Sequence, residues 1–573
     1  MKQFFKILLA SMLGMLLVVF ITLGVLMSAF KTTKPVEVKA NSILKIALNK
    51  TVDDRAGIPT INPISMTIES NLGLNNILFG IEQAKNDSRI KGIYLNLSTV
   101  NAGLASVEEI RNALIDFKQS KKYIIAYAEN YSQKAYLLAT VADKIYLNPL
   151  GNIDFKGMRS EITFYKGLLE KLGIDVQIIR HGKFKSAIEP FTLDKMSSEN
   201  REQIMTYIGS IWNFVVESIS TSRQISPEEL NNIANNMDLA LAEDALNRKF
   251  VDKLMYEDEV LNELKKYTES ETLNITNISN YYTPGLKQKK GAKIAIIYAS
   301  GEIMSGGGND SFIMSDDMVK AIRSARKDST VKAIVFRVNS PGGSAQASEI
   351  IARELELAKG DKPVVVSMGN LAASGGYWIS TPGNKLFANR TTLTGSIGVF
   401  GMIPNMQKGM TEKLGITVDV ATTNNNADFP SITRPLRDSE RNYLQKSVEN
   451  IYSVFLSKVA SSRNLSISIA DSIGQGRVWS GINALDINLI DYFGGLKESV
   501  AEAAKLANIS NYSIVELPKE LSTIEMLMKS FEAKLSQKTN NELTNALKHY
   551  EYVISMLNNY GIMAKMPYNI EIH

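Results

Sequence analysis

The chain of 573 residues has no cysteine, which excludes disulfides, thiolate metal sites and a cysteine nucleophile together. Histidine is nearly as scarce, with His181, His549 and His573 the only three. A histidine-built metal site has too few ligands here, and an imidazole base has few places to come from. Charge of one sign is also missing: 64 Lys and Arg against 59 Asp and Glu leave a net +5, small for this length. With no basic tract interleaved with aromatics, nucleic acid is not an expected partner. The length exceeds what one ordinary core organises, so roughly two to four domains are expected.

The amino terminus carries a clear physical pattern. "MKQFFK" places Lys2 and Lys6 before an uncharged run from Ile7 to Phe30, and Lys31 and Lys34 follow it. The run is long enough to span a bilayer as a helix. It exceeds the about 7 to 15 apolar residues of a cleavable signal peptide and lacks a clean A-x-A site, so an uncleaved anchor is expected. Residues 1–6 would then be cytoplasmic, 7–30 the anchor and 31–50 a linker. Lysines on both flanks weaken the orientation argument.

The rest of the chain repeats itself. "IEQAKNDSRIKGIYLNL" from Ile81 matches "IRSARKDSTVKAIVFRV" from Ile322, in one register to Asn148 and Asn389. About 15 of about 68 aligned pairs are identical, against roughly four by chance, which marks a duplicated unit. After a three-residue shift "GNIDFKGM" at Gly151 pairs with "GSIGVFGM" at Gly395, and "EKLGI" recurs at Glu170 and Glu412. Each unit alternates helical and strand-like segments, as in "MVKAIRSARK", "VKAIVFRV", "ASEIIARELELAK", "KPVVVSM" and "KLFAN". The small-residue segment from Leu371 is expected to start a helix. Strands separated by helices predict a mainly parallel, helix-covered sheet, hence two α/β domains of one fold. The boundaries read as 51–280 and 293–510, a linker at 281–292 in "YYTPGLKQKKGAK", and a helical tail over 511–573.

Duplication makes each half a control for the other. Ser374 in "NLAASGGYWIS" aligns with Gln133, and "NSPGGSA" at Asn339 aligns with "STVNAGL" at Ser98, so the first half lacks both the hydroxyl and the glycine pair. Packing alone would favour small residues in both halves. A Pro-Gly-Gly turn after a buried strand can aim free N–H groups at a carbonyl oxygen, or it can be a tight turn in which glycine supplies positive φ. A serine nucleophile needs a base. The first half offers "RHGKFKSAIEPF", with His181, Lys183 and Lys185, whose counterpart "TTNNNADFP" has no basic residue. A lysine serves as base if burial lowers its pKa. Serine and glycines in one half and a basic loop in the other point to one composite site between them.

In order along the chain, "FKSAIEP", "NSPGGSAQASE", "AASGGYWIS" and "LTGSIGVFG" resemble the signature segments of the long, tandem-domain bacterial signal peptide peptidases, or protease IV. The resemblance runs from the anchor to about residue 505 and leaves the tail after about 520 unassigned. It implies two crotonase-like (Clp-protease-like) domains, a membrane-anchored serine endopeptidase with its domains on the extracytoplasmic, periplasmic side of the inner membrane, and a homotetramer. It implies signal peptides and other apolar peptides as substrates, with no cofactor or metal. Residue by residue, it makes Ser374 the nucleophile, Lys185 the general base and Ser396 the group positioning that lysine. Gly343, Gly375 and Gly342 are the oxyanion-hole candidates, and His181 is demoted. Two other classes compete: a crotonase-fold enzyme acting on an acyl thioester, and an inactive membrane scaffold.

Overall fold

The computed structural model describes residues 3–4, 6–7, 11–15, 17, 38–56, 60–61, 68–69, 71–268, 270, 272–281, 291–309, 311–519 and 562–566. The anchor expected over 7–30 falls for the most part outside them. Among the described residues no helix is long and apolar enough to cross a membrane.

Each half is built on a sheet whose strands are buried on both faces. In the first the order is Lys253–Leu254, Lys144–Leu147, Tyr123–Ala128, Ile90–Asn96, Ser42–Ile46, Asn274–Asn277, all parallel. In the second it is Val478–Ser480, Leu393–Gly395, Val364–Ala373, Val331–Ser340, Ala292–Ser300, Tyr512–Leu517, parallel except for the first pair. Near-continuous apolar runs such as "VKAIVFRV" are what a helix-covered parallel strand requires. Both domains therefore reach further than expected. Ser42–Ile46, placed in the 31–50 linker by sequence, is an inner strand of the first sheet, and Tyr512–Leu517, placed in a helical tail, is an edge strand of the second.

The repeat's identities are structural anchors. Tyr136 and Tyr377 are both buried and donate to main-chain oxygens of Phe250 (2.9 Å) and Leu489 (2.8 Å). Beside them Lys122 and Lys362, one place out of register with each other, each donate to two carbonyl oxygens at the end of a preceding helix. Burying such donors without acceptors would cost about 1–3 kcal/mol each, so they sit where both halves supply the same acceptor.

Two features bind the halves together. Arg337, on a central strand of the second sheet, donates to Asp54 (2.8 Å) and Glu109 (2.7 Å) of the first half, all three buried. Beside it, Glu108 accepts from the N–H groups of Arg390 (3.1 Å) and Thr391 (3.0 Å). The second feature is a third sheet, ordered Ile313–Met314, Ile303–Met304, Gly342–Ser344, Ile562–Lys565, Val399–Asn405, Asp175–His181. It takes one strand from the first half, four from the second and one from the chain's end. The far tail, expected to be helical, contributes that last strand, and residues 520–561 lie outside the described residues.

Candidate active site

The strand Val364–Ala373 runs further than its apolar stretch suggests, and the segment from Leu371 continues it rather than starting a helix. It ends at Ser374, and the one-turn helix Gly375–Trp378 follows. Ser374 has φ 55° and ψ −116°, a conformation that costs a non-glycine residue about 1–3 kcal/mol. The surroundings impose it. Leu371–Ala373 pairs with Leu393–Gly395, the Ser374 N–H donates to Gly395 O (2.8 Å), and Ser374 O accepts from Trp378 N–H (2.9 Å). The small neighbours follow from the same crowding. A Cβ on Gly376 would stand 2.6 Å from Ser340 O, and one on Gly375 2.7 Å from Ser348 Oγ.

Lys185 arrives from the other half. The strand Asp175–His181 pairs antiparallel with Val399–Asn405, and the loop after it is held by Phe184 N–H donating to Gln475 O (2.9 Å). Gln203 donates to Phe184 O (3.1 Å) and Ser186 Oγ (3.0 Å), and accepts from Val478 N–H (3.0 Å), tying the loop to both halves. Gly476 leaves room for the side chain, since a Cβ there would stand 2.7 Å from Lys185 Cβ. The lysine is 0% exposed, with Nζ 2.9 Å from Ser374 Oγ, 3.1 Å from Ser396 Oγ and 3.2 Å from Ser396 O. Burial drives its pKa well below the ordinary lysine value, since desolvation disfavours the ammonium form. A neutral amine has two hydrogens and one lone pair, and three contacts are present. Donation to the two Ser396 oxygens leaves the lone pair facing the Ser374 hydroxyl.

Gly342, Gly343 and Gly375 lie at the same place with different uses. Gly342 has φ 99°, its N–H donates to Ser340 Oγ (3.1 Å), and a Cβ on it would stand 2.7 Å from Gly375 N. As an oxyanion donor Gly342 is therefore corrected: its hydrogen is taken and its contribution is clearance. Gly375 N lies beside that clearing, and Gly343 sits in the ladder between Ile303 and Ala564. His181 is set apart, paired with Val399 and stacked on Tyr452 with ring centroids 3.9 Å apart. Lys183 does not join Lys185 in the contacts at Ser374 Oγ. In the first half the equivalent turn is plugged, because Gln133 accepts from Lys156 and Gly157 N–H and donates to Gly157 O. Sequence reasoning missed Gln203 and Gly476, which carry no motif of their own. Gly398, 3.2 Å from Lys185 Cδ by its would-be Cβ, lay inside a quoted motif without being singled out.

A buried lysine against a strained serine is the arrangement of a serine peptidase, and residues 116–271 and 356–510 both match the model of peptidase family S49. The chain belongs to peptidase family S49, with the family's unit present twice, and is a serine peptidase. It is 40% identical over 469 residues to Protease 4 of Salmonella typhi, covering 80% of this chain and 76% of that one. It is 36% identical to Protease 4 of Haemophilus influenzae, covering 76% and 73%. Serine protease SPPA, chloroplastic, of Arabidopsis thaliana is 30% identical, covering 85% and 73%.

Proposed function

We propose that the chain is an endopeptidase using a Ser374/Lys185 dyad on extended, largely apolar peptides, cleaved signal peptides among them. The observation that carries this reading is the 2.9 Å contact between the wholly buried Lys185 amine and Ser374 Oγ. Lys185 takes the Ser374 proton as Oγ adds to the scissile carbonyl carbon, and returns it to the leaving amine. It then activates the water that hydrolyses the acyl-enzyme. Gly343 and Gly375 N–H groups hold the oxyanion, and Ser396 keeps the amine aimed. Apolar clusters next to the dyad support that preference: Phe191, Phe400 and Met402 pack with Ala187 and Ile188 beside Lys185, and Tyr207, Ile208 and Leu393 with Ala373 beside Ser374. The run Ile7–Phe30 would anchor these domains at the extracytoplasmic face of the membrane.

The same reading includes association of the chain with copies of itself, supported by the repeat. Asp175–His181 of the first half adds to Val399–Asn405 of the second. The repeat equivalents are 417–423 in the second half and 155–161 in the first, and both lie outside any strand. Val418 and Val420 there are 51% and 52% exposed. Applying the pairing once more would set 417–423 of one copy against 155–161 of the next, a head-to-tail contact of the kind that forms a ring when its rotation closes. The tetramer implied by the family resemblance is such a ring.

The direct test is hydrolysis of an apolar peptide by Ser374→Ala, Lys185→Ala and His181→Ala proteins. The first two should lose activity by at least about 10³-fold, given typical acid–base contributions, and the third should stay near wild type. Near-normal hydrolysis by Lys185→Ala, or loss in His181→Ala alone, defeats the dyad.

A further inference from the structure

The first half carries a cavity of about 280 Å³ at the end of its sheet where the strands begin, opposite the turn that Gln133 plugs. Its walls include Tyr123 and Lys144, the first residues of two neighbouring parallel strands, and Lys118, Lys121 and Lys122 just before Tyr123. Tyr267, from the helix Glu257–Thr268, closes it. Four lysines meet one carboxylate there, Asp143, and Lys118 holds it at 2.7 Å. Lys122 donates to the uncharged carbonyl oxygens of Ala84 and Asp87, and Lys121 and Lys144 make no ion pair among the described residues. The rings of Tyr123 and Tyr267 lean together with centroids 4.5 Å apart, and Tyr123 Oη is buried without a hydrogen-bond partner. Burial pushes this phenol above its ordinary pKa, so it stays a neutral donor. Buried hydroxyls are normally paired, and one set beside uncompensated cations is matched by an anion that accepts from it.

The second half has no such arrangement. In the register of the repeat Tyr123 corresponds to Val364, Lys122 to Pro363 and Lys121 to Lys362, which donates to the carbonyl oxygens of Ala325 and Asp328. In the first half Lys122 makes the equivalent contacts, and Lys121 is released to the cavity. Lys385, the counterpart of Lys144, stands 5.4 Å over the Tyr492 ring and 4.0 Å from Asp491. Lys253 takes the place of that ring in the first half, and counting on from this pair sets Tyr267 against Leu506. Packing common to both halves gives no reason for an extra lysine and a tyrosine pair in one of them.

The cavity lies on the edge from which the chain would enter a membrane. Ser42–Ile46 is parallel to Ile90–Asn96, and that strand to Tyr123–Ala128, so Ser42 starts at the same end as Tyr123, two strands or about 10 Å away. From Phe30, where the apolar run ends, the chain reaches at most about 40 Å to Ser42. An anchor in the bilayer thus keeps this edge near the lipid headgroups. We infer that the cavity binds the phosphate of an anionic phospholipid, with Tyr123 Oη donating to a phosphate oxygen and Lys121 and Lys144 facing its charge. This rests on the anchor reading above and not on the dyad. Free phosphate offers the same oxygens, and the lipid is favoured because the anchor supplies it at this edge in high local concentration.

The test is lysine acetylation, read residue by residue by mass spectrometry, on the full-length protein reconstituted with vesicles of phosphatidylcholine alone or with added phosphatidylglycerol. Phosphatidylglycerol should slow acetylation of Lys121 and Lys144 at least about fivefold while leaving Lys385 little changed. Tyr123→Phe removes only an unpartnered hydroxyl; it should fold and hydrolyse an external apolar peptide as wild type does, and lose most of that protection. Equal rates with and without phosphatidylglycerol, equal slowing at Lys385, or undiminished protection in Tyr123→Phe overturns the inference. Equal protection by inorganic phosphate added to the phosphatidylcholine vesicles also overturns it, by making the ligand a soluble anion. Protein that floats with neither vesicle defeats the anchor reading and this inference together. Protein that floats with both and shows no protection overturns the inference and leaves the anchor standing.

Discussion

At the scale of the residue, the site depends on a lysine kept uncharged. Below its folded pKa Lys185 is an ammonium and cannot accept the Ser374 proton. Activity should therefore rise with pH through a single ionisation lying well below the ordinary lysine value of 10.5. A pH profile of kcat/KM checks this, and a rising limb near 10.5 contradicts it. Ser396→Ala removes one of the amine's three contacts, so kcat should fall about tenfold with KM little changed, the effect of about 1–1.5 kcal/mol. An unchanged kcat would mean that the Ser396 main-chain oxygen positions the lysine alone. Ser374 was legible in the sequence because its repeat partner is Gln133. Among His181, Lys183 and Lys185 the residue pattern left the base open, since burial and distance belong to the folded chain. The positive φ of Ser374 had no sequence signal either, because serine is not a residue that marks that region.

At the scale of the element, the two parallel sheets were legible from their apolar runs, and the sheet that builds the cleft was not. Its members include the three-residue Gly342–Ser344 and the four-residue Ile562–Lys565, too short for period-2 patterning, and they come from distant parts of the chain. Residues around Ala564 read as tail because their partner strands lie more than a hundred residues away. The alignment of these elements rests on the buried Arg337 cluster. Arg337→Met leaves Asp54 and Glu109 buried without their cation and should cost about 3–5 kcal/mol in urea unfolding. Burial already raises the Glu109 pKa in the fold and loss of Arg337 removes an opposing pull, so the loss should shrink as pH falls toward the ordinary carboxylate range and Glu109 protonates. A loss below about 1 kcal/mol, with normal activity, would show that the cleft sheet aligns the halves without the cluster.

At the scale of the whole molecule, the proposed dyad draws on both halves, so neither half should work alone. One supplies the lysine from the loop after a strand lent to the other's sheet, and the other supplies the serine and the glycines. The same lending, continued between copies as proposed, would account for the 417–423 and 155–161 segments that lie outside any strand. Val418→Lys with Val420→Lys should give a smaller species than wild type in light scattering. An unchanged mass would place the interface elsewhere. The central claim, one active site composed across the halves, is tested most directly by covalent labelling with a serine-reactive probe, mapped by mass spectrometry in wild type and Lys185→Ala. The account predicts a single adduct on Ser374 that forms at least about 10²-fold more slowly without Lys185. Labelling at another serine, or at an equal rate in both proteins, would contradict it.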